Sequence, residues 1–399
     1  MERNLRNSRR LKKTNMSTNL RTWIEIDKKA YLHNLEFLKS IFKDTDISSV
    51  VKGNAYGHGI EQIVPLAQNA GINYFSVFSL EEACRVHSVK NKDVHLMIMG
   101  YIPNDSYEWV IEHDISFFIY EPGDLNKAIL AAKKVKKKAN IHLELETGMN
   151  RTGLDDENLK KAIKLIKENR RYVHIKGACT HFAGAESIAN HVRVKRQIIN
   201  YNRQLNQIKK QGCEPEKLHM ACSAAAISYP RTRKDLIRTG ILQYGFWPSF
   251  ETRIAFMQKY KHTIDPLRRV LSWKSRVMHI KTVEPGEFIS YGTAFFASEK
   301  KKIAVVPVGY ADGFNRSLSN NGRVLIHGKI ASVIGLVNMN MLIADVTHIN
   351  NVKPGDEVVL IGKQKNNIIR VSSFSEFTQQ VNYELLTRLP GSIPRIIKN

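Results

Sequence analysis

Long apolar runs are missing from this chain, and no stretch approaches the roughly 20 residues a helix needs to cross a bilayer, so no membrane span is expected. Cysteine is scarce. Cys84, Cys179, Cys213 and Cys222 stand apart without metal-ligand spacing, which argues against a zinc module or a disulfide framework and favours a reducing, cytoplasmic setting. No N-terminal segment joins a basic flank, an apolar centre and a small-residue cleavage site, so no secretory signal is expected. Acidic residues are in deficit, 37 against 61 basic ones, leaving a net charge of +24. Nucleic acid is the first partner such a charge suggests. Yet the basic residues are spread along the chain, and the densest run, Lys133 to Lys138, follows a helical Ala-Ile-Leu pattern. That run reads as a solvated helix end, with positive charge placed favourably against the helix dipole. We infer no nucleic-acid binding; the positive field favours anionic small ligands instead.

What is present is an ordinary globular composition, 43% hydrophobic and 25% charged, over 399 residues, enough for two domains. Residues 1–20, with Arg3, Arg6, Arg9, Arg10, Lys12 and Lys13 and few apolar groups, read as a disordered basic tail in which Met16 is a second candidate start. Eight short apolar or alternating runs then recur between helical patterns: Ile47–Lys52, Tyr74–Ser79, Val94–Gly100, Ile115–Tyr120, Ile141–Glu146, His174–His181, Leu218–Ser223 and Leu236–Ile241. Ser79-Leu80-Glu81-Glu82 reads as a capping box opening one of the intervening helices. Eight strands alternating with helices predict an α/β fold, a (β/α)8 TIM-type barrel over residues 21–262, with a doubly wound open sheet as the alternative. Beyond Thr263 the texture changes. Trp273–Val283, Lys302–Val308, Gly322–Val333 and Glu357–Ile361 read as strands separated by Glu284-Pro285-Gly286, Asn320-Asn321-Gly322, His327-Gly328 and Lys353-Pro354-Gly355-Asp356 turns. A separate, mostly β domain is expected over residues 263–399.

Chemistry concentrates at Val50-Val51-Lys52-Gly53-Asn54-Ala55-Tyr56-Gly57-His58-Gly59. A lysine that closes a β-branched run and opens onto a Gly-rich turn projects its amine from the end of a strand. Partly desolvated, such an amine loses proton affinity and can attack a carbonyl. Near the other end of the barrel region, Cys222-Ser223 precedes Ala224-Ala225-Ala226, and Arg238-Thr239-Gly240-Ile241 ends the eighth run. Both places suit an anion, because barrel phosphates commonly sit by the last two strands.

From Trp23 to Arg395 the chain resembles the alanine racemase family, with the motifs in the family's order. Trp23-Ile24-Glu25-Ile26-Asp27 followed by His33-Asn34-Leu35 resembles the family's opening. The resemblance implies pyridoxal 5'-phosphate as cofactor, with Lys52 at the Schiff-base lysine. Tyr56, Ser223, Gly240, Ile241 and Tyr383 fall at phosphate contacts, His181 (in Thr180-His181-Phe182) packs on the pyridine ring, and Arg238 faces the ring nitrogen. Arg151, in Gly148-Met149-Asn150-Arg151, falls at the arginine that contacts the substrate carboxylate. Tyr291, in Ser290-Tyr291-Gly292, falls at the second catalytic residue, and Tyr310, Met339 and Asn340 line the substrate entrance. Lys52 and Tyr291 would then be the two bases of L- and D-alanine interconversion, which in the family supplies D-alanine for peptidoglycan. The resemblance also implies a homodimer in which Tyr291 and the Met339 region reach the other subunit's site. A tyrosine acts as a base near neutral pH only beside positive charge; His181 and Arg238 are the candidate cations.

Four positions depart from the common family pattern. Glu144 stands where many members carry a carbamylated lysine, and an ion pair from Glu144 to Arg151 is expected. Cys222 replaces an asparagine, and Asn338 and Asn340 stand where cysteine and aspartate are common. The loss of charge at Asn340 leaves a serine or broader-specificity racemase open. A related decarboxylase is the nearest rival, but its Gly-Gly-Gly phosphate loop is missing, and Glu287 stands where those enzymes carry arginine. A single-barrel cofactor carrier would lack the C-terminal β domain.

Overall fold

The structure, a computed structural model, describes residues 20–374 and 382–399; the expected basic tail lies outside them except for its last residue. The chain divides into two compact units, Lys28–Val270 and, among described residues, those up to Asp27 with Leu271–Asn399.

The first unit is the expected barrel. Its strands are β2 (Asp46–Val50), β3 (Tyr74–Val77), β4 (His95–Ile98), β5 (Ser116–Ile119), β6 (Ala139–Glu144), β7 (Val173–Cys179), β8 (Lys217–His219) and β9 (Leu236–Thr239). All neighbours are parallel, in the order β8-β7-β6-β5-β4-β3-β2-β9. Closure between β8 and β9 falls to backbone bonds from Asp235 N–H to the Leu218 carbonyl at 3.0 Å and from Arg238 N–H to the Ala221 carbonyl at 3.0 Å, with Leu218 N–H donating to the Asp235 carboxylate at 2.7 Å. Each strand matches one of the eight runs to within a few residues. Most of the runs are apolar on both sides because parallel barrel strands are buried on both faces, whereas Ile141–Glu146 and His174–His181 alternate apolar with polar residues. The outer helices bury one stripe each: in Ile60–Asn69, Ile63, Val64 and Ala67 are fully covered.

The barrel boundaries expected at residues 21 and 262 shift at both ends. β1 (Thr22–Asp27) leaves the barrel, because antiparallel pairing to β10 (Leu271–Arg276) and parallel pairing to β18 (Arg395–Lys398) satisfy both its edges. Residues 263–270 remain with the barrel because its first helix holds them. The buried Asn34 side chain donates to the Arg268 carbonyl (2.7 Å) and accepts from the Arg268 N–H (2.8 Å), while Trp247 Nε1 donates to Asp265 (3.0 Å).

The second unit carries two sheets. One runs β14 (Lys329–Ser332), β13 (Arg323–Ile326), β16 (Glu357–Gln364), β10, β1, β18, with β17 (Asn367–Ile369) as a hairpin on β16. The other is β11 (His279–Val283), β12 (Lys301–Val306) and β15 (Leu342–Asp345). The run Trp273–Val283 is therefore two strands in different sheets. The run Gly322–Val333 is a hairpin whose turn residues His327 and Gly328 take φ of 53° and 78°, as a twist-matched two-residue turn requires. Among described residues no helix is long and apolar enough to cross a membrane.

Candidate active site

Lys52 follows β2 at the C-terminal mouth of the barrel, and the backbone there is unusual. Gly53, Asn54, Ala55 and Tyr56 take φ of 61°, 54°, 55° and 52°, a left-handed turn in which three of four residues carry a Cβ. Such residues cost on the order of 1–2 kcal/mol each in this region. Surrounding bonds offset that cost. The Asn54 side-chain oxygen accepts from Ile60 N–H (3.2 Å) and Arg85 (2.7 Å), and His58 Nδ1 lies 3.0 Å and 2.9 Å from the Ala55 and Tyr56 carbonyls. Glu82 accepts from Gly53 N–H at 2.6 Å and Asn54 N–H at 3.4 Å through one oxygen, and from Phe78 N–H at 2.9 Å through the other. The capping box expected at Ser79 is thus half made. Ser79 Oγ accepts from Glu82 N–H, but the Glu82 carboxylate turns to these amides.

Lys52 is exposed in the single chain, yet the protein packed about its amine, followed by the positive charge of Arg151, lowers its pKa, with Arg238 acting the same way and Glu82 opposing. The resulting amine is closer to a usable base than a lysine free of such neighbours.

Across the mouth, β8 and β9 end side by side. Ser223 opens the helix Ser223–Ser228, and its hydroxyl oxygen accepts from Gly240 N–H at 3.0 Å, leaving the hydroxyl proton to donate outward. A Cβ on Gly240 would overlap the Tyr56 hydroxyl, so only glycine admits Tyr56 there. Ile241 starts the next helical turn, Ile241–Tyr244. Behind it, the buried Gln243 donates to the Val50 carbonyl (3.1 Å) and the Thr239 carbonyl (3.0 Å) and accepts from Ser49 (2.7 Å), which ties the end of β2 to the end of β9.

Arg238 is held in one plane. Its guanidinium donates to the Thr180 carbonyl (2.7 Å), to the His219 carbonyl (3.1 Å) and to His219 Nδ1. Guanidinium only donates, so His219 Nδ1 accepts and its Nε2 proton points to His142 Nδ1 at 2.8 Å. Burial, then the Arg238 charge, pushes His142 down to about 3 and His219 well below its ordinary value. His181, next to Thr180, is likewise driven down to about 3 by burial, Arg238, Arg151 and Lys52. The expectation of His181 as a cation is therefore corrected: it is neutral, and Arg238 alone carries the charge.

Arg151 sits on a loop organised by Glu146, whose carboxylate accepts from the N–H groups of Gly148, Met149 (2.8 Å) and Asn150 (2.9 Å). The expected Glu144–Arg151 ion pair does not form among the described residues. Glu144 is buried, which raises its pKa, and it hydrogen-bonds Thr152, with Arg238 and Arg151 as electrostatic neighbours.

Lys52, Tyr56, Arg151, His181, Ser223, Arg238, Gly240 and Ile241 all belong to the barrel unit; Tyr291, Tyr310, Met339, Asn340 and Tyr383 belong to the other. There, three loops interlock. The Tyr310 and Ala311 N–H groups donate to the Asn338 and Met339 carbonyls at 3.0 Å each, and Ser290 Oγ donates to the Leu336 carbonyl (2.8 Å). Gly309 has to be glycine, since a Cβ would strike both the Asn338 and Met339 carbonyls. Arg21 pairs with Asp312 (2.6 Å) beside the same turn. Tyr291 is 71% exposed, and Met339 and Tyr310 are exposed with it. Tyr383 lies on the short helix Asn382–Thr387.

Glu82, Glu146, Gln243, His219 and His142 were not singled out from sequence as site residues. Only Glu82 carried a signal, the capping-box spacing, and that spacing pointed its carboxylate elsewhere.

The family model for the alanine racemase N-terminal domain matches residues 26–248, and that for the alanine racemase C-terminal domain matches residues 270–397. An alanine racemase of Leptospira interrogans serogroup Icterohaemorrhagiae serovar copenhageni is 35% identical over 385 residues, 96% of this chain and 97% of that protein. Alanine racemase 1 of Caldanaerobacter subterraneus subsp. tengcongensis is 32% identical over 94% of both chains. Among solved structures, alanine racemase from D-cycloserine-producing Streptomyces lavendulae superposes with a TM-score of 0.86 at 28% identity, covering 95% of this chain and 97% of that one. Alanine racemase from Bartonella henselae with covalently bound pyridoxal phosphate superposes with a TM-score of 0.82 at 28% identity, covering 95% and 100%.

Proposed function

This chain belongs to the alanine racemase family, and from that premise we propose that it interconverts L-alanine and D-alanine with Lys52 and Tyr291 as the two bases and pyridoxal 5'-phosphate as cofactor. The observation that carries the reading is the barrel mouth, where a lysine of lowered proton affinity stands among Arg151, Arg238 and an anion cradle. The cradle fits the cofactor: the Ser223 hydroxyl, which accepts from Gly240 N–H and keeps its own proton to donate, and the Tyr56 hydroxyl, which glycine at 240 admits, suit a phosphate. Ser223, Gly240, Ile241, Tyr56 and Tyr383 hold that phosphate in this reading, and Lys52 is the covalent anchor.

When bound, pyridoxal phosphate supplies the electron sink for charge left at the substrate Cα. The protein supplies the proton chemistry. Lys52 takes or returns the Cα proton on the D side, and Tyr291 does so on the opposite, L side. Arg151 binds the substrate carboxylate and sets which face meets which base. Neutral His181 would pack on the pyridine ring. Arg238 offers only donors, so it would leave a facing ring nitrogen without a proton and limit side reactions.

The exposure of Tyr291 in the single chain supports its donation to a second copy, giving a homodimer with shared sites. Tyr310, Met339 and Asn340 line the substrate entrance in that arrangement. A cytoplasmic enzyme delivering D-alanine to peptidoglycan is the role this activity serves. Serine is the second substrate to try, because Asn340 carries no charge.

Solvent deuterium tests the two bases. Tyr291→Phe should still exchange the α-proton of D-alanine while losing exchange into L-alanine, and Lys52→Ala should lose exchange from D-alanine. Equal loss from both enantiomers in Tyr291→Phe would refute the assignment of faces.

A further inference from the structure

Glu82 lies on the helix Leu80–Val89, outside the groups just assigned, yet its carboxylate reaches the residues immediately after Lys52. One oxygen takes the amides of Gly53 (2.6 Å) and Asn54 (3.4 Å); the other takes the amide of Phe78 (2.9 Å), just past the end of β3. Arg85, one turn further along the same helix, donates to the Asn54 side chain (2.7 Å) and pairs with Glu61 through two bonds of 2.7 Å and 2.8 Å. A single helix therefore grips the left-handed turn at its backbone and at its side chain.

That turn needs gripping. Asn54, Ala55 and Tyr56 hold a backbone conformation that residues with a Cβ avoid, and only Gly53 adopts it freely. Released, the turn would relax toward right-handed geometry. Lys52, at its start, would change direction, and Tyr56, at its end, would leave its place against Gly240.

We propose that Glu82 is a positioning residue of the active site, whose carboxylate clamps the Gly53–Tyr56 turn and so aims both Lys52 and Tyr56. The proposal rests on the reading of Lys52 as the cofactor anchor. The clamp has to be a carboxylate, because donors from two loops converge on two acceptor oxygens. An amide has one acceptor oxygen, and its NH2 group would face a backbone N–H. That the Glu82 charge also acts on the Lys52 amine agrees with this placement.

The test uses the full-length enzyme, Glu82→Gln, and Glu82→Gln combined with Ala55→Gly. Breaking one arm of a charged clamp should weaken pyridoxal phosphate binding to the apo-protein and lower kcat, each by about tenfold or more, while KM for L-alanine stays within about threefold because Arg151 is untouched. Glycine at position 55 removes one of the three penalties the clamp opposes, so the double variant should regain about fivefold of both losses. In the wild type, amide exchange at Gly53 and Asn54 should be slow. Three results would each overturn the proposal: Glu82→Gln within about twofold of wild type in cofactor affinity and kcat, losses that Ala55→Gly does not relieve, or wild-type amides of Gly53 and Asn54 exchanging at open-chain rates. The exchange measurement decides the matter even if the variant fails to fold. Borohydride trapping in the wild type tests the anchor separately: label on a residue other than Lys52 would overturn the anchor reading and leave the exchange result standing.

Discussion

Arg238 is the residue whose chemistry is most narrowly defined. Three bonds fix its guanidinium, and two neutral histidines stand behind it. Replacing a permanent cation with a carboxylate would hold a proton on a facing ring nitrogen and strengthen the electron sink. Arg238→Glu should therefore raise pyruvate formed per D-alanine by about tenfold or more while racemisation slows; an unchanged ratio would remove Arg238 from that role. The motif residues were legible one by one, since Lys52, Arg151, Ser223 and Arg238 each stand in a recognisable local string. Their supports were not. Glu82 and Glu146 look like ordinary helix and strand glutamates, and only the folded loops bring backbone amides to them. His181 looked like a cation in sequence, and burial makes it neutral.

At the scale of elements, the barrel strands were legible because each is a compact apolar or alternating run between helical patterns. β1 was misassigned because its partners, β10 and β18, lie some hundreds of residues away along the chain. β15, β17 and β18 have three or four residues each, as short as several barrel strands, but none of them lies between two helical patterns that would mark it off. Asn34 shows how the barrel's first helix anchors the segment beyond the last strand. Its fully buried side chain makes bonds of 2.7 Å and 2.8 Å to the part-exposed Arg268 backbone and one of 3.2 Å to the Gln243 carbonyl. Asn34→Ala leaves those backbone groups without partners and should cost about 2–4 kcal/mol, read as a lower urea midpoint. A midpoint unchanged from wild type would mean the 263–270 segment is held by something else.

At the scale of the whole molecule, the titration of buried groups predicts acid sensitivity. His142 and His181 are held down to about 3 and His219 lies well below its ordinary value. Unfolded, all three titrate near about 6.5. Below that pH the unfolded chain takes up protons that the folded chain refuses. Stability is therefore full above about pH 6.5 and falls progressively toward about pH 3, with up to about 1.4 kcal/mol per pH unit from each histidine. Urea midpoints measured at about pH 7.5, 6 and 5 should decline in that order; a flat series would contradict the neutral-histidine account.

The site residues fall in two units, Lys52 in one and Tyr291 in the other. If each site takes its tyrosine from a second copy, two inactive variants should repair one another. The decisive measurement is D-alanine formed from L-alanine, read by chiral chromatography, for wild type, Lys52→Ala, Tyr291→Phe and the two variants refolded together. The account predicts activity in the wild type and almost none in either variant. In the mixture, half the dimers are hybrids with one intact site, so activity should return to about a quarter of wild type. A wild type that binds pyridoxal phosphate yet forms no D-alanine would contradict the racemase, and a mixture as inactive as its parts would contradict the shared site.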